Sequence, residues 1–419
     1  MDRKVTKIFE KAETNENIRT FLIYGMSGVG KTGTVLDYVK KNNEEYLYID
    51  ASRNSDFYSF FESREKKEGD LYPDILTVII SEFYGIDPGY LANIPVILDE
   101  PDGRLIDNGL FEGHTDFLKI FIITYDKSKL QRILKCMEES KVTVVRIRPM
   151  DFGEFLKNTD KEWYSEIIEG HLMSRRKIPD MIHEELSDLF GLFMLTGGMP
   201  EIVEEYKRTQ ETLILRSRQR FLKYGILYKN LNSEFDCSEV RARSIWEAVE
   251  NILEKDNHKF MYTVMRDGAT EKIYENEMKF LNDRGLLNGI ERFYVNDDGK
   301  HPKGMRYYYS DISMYERPDD GKITESLLIQ EMLGKGMDIK YWESGKGAVL
   351  DMVLCTDNRA VPVEVKLSDR SNSRSVRAFM KDSPDKKVLR LSWENCRFDE
   401  DVISIPVYAG YAIDRILSF

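Results

Sequence analysis

Residues 21–39 read FLIYGMSGVGKTGTVLDYV, and this stretch constrains the fold more than any other part of the chain. Phe21 to Tyr24 form an apolar run suited to a buried strand. Gly25, Met26, Ser27, Gly28, Val29, Gly30, Lys31, Thr32 and Gly33 come next, and a second apolar segment follows them. Glycines allow successive backbone N–H groups to point inward with no Cβ in the way, and a helix opening near Lys31 adds the positive end of its dipole. The spacing G-x-x-x-x-G-K-T, from Gly25 to Thr32, is that of a phosphate-binding loop between a strand and a helix. It predicts ATP with Mg²⁺ as ligand: Lys31 reaches the β and γ phosphates and the Thr32 hydroxyl ligates the metal.

From Phe21 to about Arg148, short apolar runs alternate with amphipathic segments: FLIYG, YLYID, ILTVII, IPVILDE, LKIFIITY and VTVVRIRP. Read as strands between helices, they predict an α/β fold with a parallel sheet covered on both faces. IPVILDE ends in Asp99 and Glu100. Carboxylates at the carboxyl end of a parallel strand stand in the crevice where open sheets of this class bind ligands. Asp99 is therefore read as a member of the Mg²⁺ shell and Glu100 as the group that polarises the attacking water; the competing reading is an ordinary surface pair. Thr124 ends another apolar run, where its hydroxyl could meet the γ-phosphate or the water.

Composition narrows the class. A net charge of −12 and a pI near 5.2 argue against a surface that grips nucleic acid throughout, although local basic patches remain open. No apolar run approaches the roughly 20 residues needed to span a bilayer, and the first residues lack the apolar core of a signal peptide, so a cytoplasmic address and no membrane partner are expected. Cys136, Cys237, Cys355 and Cys396 lie far apart, as do His114, His171, His183, His258 and His301; this spacing predicts reduced thiols and no structural zinc.

The order phosphate loop, acidic strand end, polar strand end resembles that of AAA+ ATPases. RIRPMDFGEFL (Arg146 to Leu156) and LTGGMPEIVEEY (Leu195 to Tyr206) look like segments of a bacterial and archaeal group of AAA+ proteins that carry a restriction-endonuclease-like C-terminal domain. Where that group often has Pro-Arg in the phosphate loop, this chain has Met-Ser-Gly-Val, and Tyr125 stands where Gly-Ser often follows the strand-end Thr. The resemblance implies an ATPase core over 1–150 and a helical lid over 151–235. Residues from about 240 to 315 read as helices followed by a two-stranded wing, a winged-helix-like domain over 236–318; the resemblance adds a small α/β nuclease-like domain over 319–419 and assembly into a homo-oligomer. Arg146 and Arg148 are candidates for an arginine finger. The helix expected to lead into the wing carries Glu275, Glu277, Lys279, Asp283 and Arg284, the mixed charge of a solvated face.

Near the C-terminus, Asp351 sits in one strand-like run and Glu364 and Lys366 share a face of the next, since side chains alternate with period two. Asp351 and Glu364 suit one or two Mg²⁺, with Lys366 orienting hydroxide or stabilising phosphorane charge. The resemblance to the PD-(D/E)xK nuclease fold adds Glu325, on an upstream helix, to the metal set. That family commonly has Glu-Val-Asp at the first carboxylate; Val349, Leu350 and Asp351 lack one acid. Arg370, Arg374, Arg377 and Lys381 form a basic run. Together these features predict an ATPase coupling nucleotide state to a DNA or RNA transaction; the alternative is a nucleotide-gated switch for a protein partner with an inactive nuclease-like domain.

Overall fold

The computed structural model describes residues 1–15, 17–63, 75–107, 110–111, 117–231, 237–255, 258–295, 304–316, 320–356, 359–366, 374–383 and 387–417; His114, His301 and Arg370 lie outside them. The chain divides into two compact units. Among the described residues the first comprises 1–148 with 283–285, and the second the rest.

The first unit is built on five parallel strands: β1 (Thr20–Tyr24), β2 (Leu47–Asp50), β3 (Val96–Asp99), β4 (Ile120–Thr124) and β5 (Val142–Arg146), in the order β2-β3-β4-β1-β5. Their interiors are β-branched and aromatic, and β3 and β4 are buried throughout, as expected where helices cover both faces. On one face Leu22, Leu98, Ile120 and Ile122 pack against Leu76, Ile79 and Ile80. On the other, Phe21 and Phe121 stack at 4.6 Å and Phe9 meets both edge-on, with Tyr38 completing the cluster.

One expected strand is a helix. ILTVII begins the helix Ile75–Tyr84. Leu76, Ile79 and Ile80 enter the core and Phe83 packs against it, the i, i+3, i+4, i+7 spacing of a helical face, and Gly85 ends the element at φ +64°. The six residues alone could not separate a buried helix from a buried strand; the following turn could.

In the second unit, helices Phe152–Asn158, Glu162–Met173, Asp180–Thr196, Pro200–Thr209 and Thr212–Asn230 come first, then Glu239–Leu253 and Glu271–Asp283. The antiparallel pair β6 (Leu287–Glu291) and β7 (Met305–Tyr309) follows. After the helix Asp320–Gly334 comes a six-stranded mixed sheet: β8 (Asp338–Glu343), β9 (Val349–Thr356), β10 (Arg359–Lys366), β11 (Val388–Ser392), β12 (Arg397–Phe398) and β13 (Val402–Pro406), in the order β12-β13-β11-β10-β9-β8. Strands β8, β9 and β10 are antiparallel neighbours, whereas β10 and β11 run parallel, the connection containing the helix Arg374–Asp382.

The two segments that carried the resemblance meet here. Gly198 accepts the Met150 N–H at 2.8 Å, and a Cβ on Gly198 would stand 2.2 Å from the Met150 carbonyl oxygen. Asp311 accepts the Gly198 N–H at 2.9 Å, and Gly197 bends at φ +71° beside it, a conformation that glycine adopts without strain. Glycine is required twice because two backbone segments and a buried carboxylate converge on one point. Among the described residues no single helix is long and apolar enough to cross a membrane.

Candidate functional site

At the carboxyl edge of the five-stranded sheet the predicted loop takes the expected shape. β1 ends at Tyr24, the helix Lys31–Asn42 opens at Lys31, and Gly25, Gly28 and Gly30 adopt φ of +152°, +85° and +85°. A Cβ on Gly25 would lie 2.0 Å from the carbonyl oxygen of Ile147, so the residue after β5 fixes where the loop leaves the sheet. Lys31 is buried, and its ammonium donates to the carbonyl oxygens of Gly25 at 3.0 Å and Met26 at 3.3 Å. Those oxygens stand in for the anionic oxygens a phosphate would offer the same cation.

Thr32 donates its hydroxyl to Asp99 Oδ2 at 2.7 Å, and the Tyr48 hydroxyl on neighbouring β2 donates to the same oxygen at 3.0 Å. A hydroxyl and a buried carboxylate in contact at the start of the loop helix form a hard oxygen donor set of the kind Mg²⁺ takes. Glu100 follows at φ +53°, a left-handed conformation costly for a residue with a Cβ. That turn places its carboxylate 3.9 Å from the Lys31 ammonium and lets it accept the Tyr125 N–H at 3.3 Å. Burial pushes the Glu100 carboxyl up to about 7, against the opposing pull of Lys31.

Thr124 is buried at the end of β4, where its hydroxyl accepts the Asp126 N–H at 3.0 Å. Asp126 in turn caps the helix Lys127–Lys135 through Ser128 N–H at 2.7 Å. Arg284, in the 283–285 stretch of this unit, pairs with Asp126 at 3.3 Å, and its guanidinium lies 4.5 Å from the Tyr125 ring centre. Arg146 lies opposite Tyr24 in the β1–β5 register with its guanidinium 5.8 Å from that ring. Arg148 is held at about 9, chiefly by burial and then by the neighbouring Arg146 charge.

In the second unit the structure brings Glu325 and Asp351 together with His258, one ligand atom of each within 4.8 Å of the others. Glu364 is not in this group: Arg390 holds its carboxylate at 2.9 Å. Lys366 ends β10, half-buried. Two cations already occupy the cluster. Arg306, buried on β7, donates to Asp351 at 3.0 Å; its backbone is carried there because Arg292, just after β6, bridges to Tyr341 on β8. Lys322 donates to His258 Nε2, which leaves Nδ1–H to donate to Glu325 Oε1 at 3.3 Å. The Tyr308 hydroxyl donates to the same oxygen at 2.8 Å. Burial pushes the Glu325 carboxyl up, but His258, Arg306 and Tyr308 outweigh it and hold the group below the usual carboxylate range.

On the helix expected to lead into the wing, Glu275 and Lys279 are exposed while Glu277 and Arg284 are buried. Glu277 accepts from Arg241 at 3.0 Å and from the Ser238 N–H at 3.0 Å, so part of its mixed charge serves packing. Arg374, Arg377 and Lys381 are exposed on the helix Arg374–Asp382, opposite the buried Val376 and Phe379.

The model of a domain family of unknown function, DUF4143, matches residues 320–408. No curated protein matches the chain. Among solved structures, the Walker-type ATPase of Pyrococcus abyssi is similar at 17% identity and a TM-score of 0.41, over 75% of this chain and 94% of that one. The Aeropyrum pernix ORC1 protein, solved in complex with DNA, is similar at 11% identity and a TM-score of 0.31, over 80% of this chain and 92% of that one. The site's chemistry is therefore read from its own geometry.

Sequence reasoning missed Tyr48, Arg284, His258 and Arg306. Only tertiary structure brings Tyr48 to Asp99, or Arg306 and His258 to carboxylates that lie 45 and 67 residues further along the chain. No local pattern announces such pairs.

Proposed function

We propose that the chain binds ATP with Mg²⁺ in the Gly25–Gly33 loop and hydrolyses it, and that nucleotide state is coupled to a nucleic-acid transaction. The observation that carries the reading is the convergence of Lys31, Thr32, Asp99 and Glu100 at the carboxyl edge of β1 and β3. The loop N–H groups and Lys31 bind the phosphates; Lys31 exchanges its contacts with the Gly25 and Met26 carbonyls for phosphate oxygens. Thr32 and Asp99 would hold Mg²⁺, whose charge would offset the negative charge of the phosphates. Glu100, half-buried and aimed by its left-handed turn, accepts the proton of the attacking water once ionised. Thr124 helps place that water. Arg146 and Arg148 are the cations available to an adjoining copy's transition state in a homo-oligomer.

The exposed stripe Arg374, Arg377 and Lys381 supports contact with DNA or RNA backbone phosphates, and the helices before the β6–β7 hairpin are read as a winged-helix-like element. We read residues 319–419 as nuclease-like in fold and inactive in cutting. Asp351, Glu325, Glu364 and Lys366 are the residues a catalytic metal site there requires. Instead, Arg306 and Lys322 supply the positive charge beside the first two, Arg390 engages Glu364, and both His258 nitrogens are in hydrogen bonds. The same observation favours a second reading, in which ATP switches binding to a protein partner.

The test is ATP turnover by purified protein with and without DNA or RNA, with the same nucleic acid examined on a gel. Turnover stimulated by intact nucleic acid supports the first reading. Turnover indifferent to it supports the protein-partner switch, and Mg²⁺-dependent cutting that Asp351→Asn abolishes overturns the inactive assignment.

A further inference from the structure

The second unit contains a cavity of about 240 Å³ between the helix Thr212–Asn230 and residues 313–316. Its lining is cationic. Arg216 and Arg220 are exposed at its rim, one helical turn apart, and Lys223 is buried at its base, where it pairs with Glu250 at 2.8 Å. Glu316 lies among them, 3.1 Å from Arg220 and 3.5 Å from Lys223, and its carbonyl oxygen accepts from Arg216 at 3.5 Å. The cavity thus holds three cations against the carboxylates of Glu316 and Glu250. Ser313 also lines the cavity and is 5% exposed, its backbone N–H donating to Asp311 at 2.9 Å.

We propose that this cavity is a second anion site, one that takes a phosphate group. Arg216 and Arg220 offer forked donors of the geometry that binds phosphate oxygens in pairs, and Lys223 adds a third cation at the base. Glu316 is the resident counter-ion: its carboxylate occupies the cation cluster in the free protein and yields to phosphate. The phosphate comes either from solution or from the backbone of a nucleic-acid strand. Phe221, 70% exposed beside the rim with Arg218 5.6 Å from its ring centre, offers a face on which a base of such a strand could stack. The proposal does not rest on the ATP reading, because no residue of the Gly25–Gly33 loop takes part.

The test is calorimetric titration of the full chain carrying Lys31→Ala, which disables the loop as a phosphate site, with inorganic phosphate and with a short single DNA strand. The site predicts that Arg216→Gln with Arg220→Gln weakens phosphate binding about ten-fold or more, and that Glu316→Gln strengthens it several-fold by removing the competing carboxylate. Both arginines are exposed, so their loss leaves the fold intact. Strand binding that these substitutions weaken and inorganic phosphate displaces assigns the ligand to nucleic acid. Phosphate binding that depends on the arginines, with strand binding that does not, assigns it to free phosphate. Phosphate binding that is absent or ignores the arginines, or a gain-free Glu316→Gln, overturns the proposal.

Discussion

The Thr32 hydroxyl donates to Asp99 at 2.7 Å, which joins the start of the loop helix to the end of β3 across 67 residues of sequence. Both groups are the hard oxygen donors that Mg²⁺ requires, and Tyr48 steadies the carboxylate from the next strand. Thr32→Val and Asp99→Asn should each weaken Mg²⁺-dependent ATP binding about ten-fold or more, whereas Thr32→Ser should not. Tyr48→Phe removes one hydrogen bond to the carboxylate and should cost only a few-fold. Nucleotide titrations over a Mg²⁺ series measure all four; equal losses for Tyr48→Phe and Asp99→Asn would contradict the assigned roles.

Glu100 gives a pH signature. Its folded value near 7 lies above the ordinary 4.5, so between those values the folded state binds the extra proton. The sign is then fixed: Glu100 lowers stability as pH rises from about 4.5 to about 7, by up to roughly 3 kcal/mol in total. Glu100→Gln cannot ionise. Its melting temperature should approach that of the wild type near pH 4.5 and exceed it above pH 7. Parallel melting curves across pH 4.5–8 would show that the carboxyl is not perturbed.

Much of this unit was legible in the sequence, because the phosphate loop and the strand-end carboxylates are local patterns whose partners are fixed by a parallel sheet. ILTVII was not, since a six-residue apolar run fits either period until Phe83 is counted with Leu76, Ile79 and Ile80. The C-terminal site was half legible. Alternation placed Asp351 and Glu364 on neighbouring strands, but it could not show that Arg306 would reach one and Arg390 the other, as cross-strand cations leave no trace in local spacing.

Arg306 is 1% exposed and its partner Asp351 is 43% exposed, so the pair is worth less than a fully buried one. Its guanidinium also lies 4.4 Å from the Tyr341 ring centre. Arg306→Gln should destabilise the second unit by about 2 kcal/mol. Denaturant unfolding followed by tryptophan fluorescence reads this, and an unchanged midpoint would remove Arg306 from the account of that site.

Gly198→Ala should also loosen the second unit, because its Cβ would meet the Met150 carbonyl at 2.2 Å and neither backbone segment can yield cheaply. A loss of about 2 kcal/mol is expected in the same denaturant experiment. Gly191→Ala, at an exposed position inside the helix Asp180–Thr196 with no atom within 4 Å of the added Cβ, is the contrasting control and should not destabilise, gaining up to about 1 kcal/mol.

The central claim is that Glu100 and Lys31 work on a bound triphosphate, and the most direct measurement is ATP turnover in Mg²⁺ by the wild type, Lys31→Ala and Glu100→Gln, alongside binding of the same nucleotide. The account predicts measurable wild-type turnover, loss of both binding and turnover in Lys31→Ala, and retained binding with turnover reduced about 100-fold or more in Glu100→Gln. Turnover that survives both substitutions would contradict it.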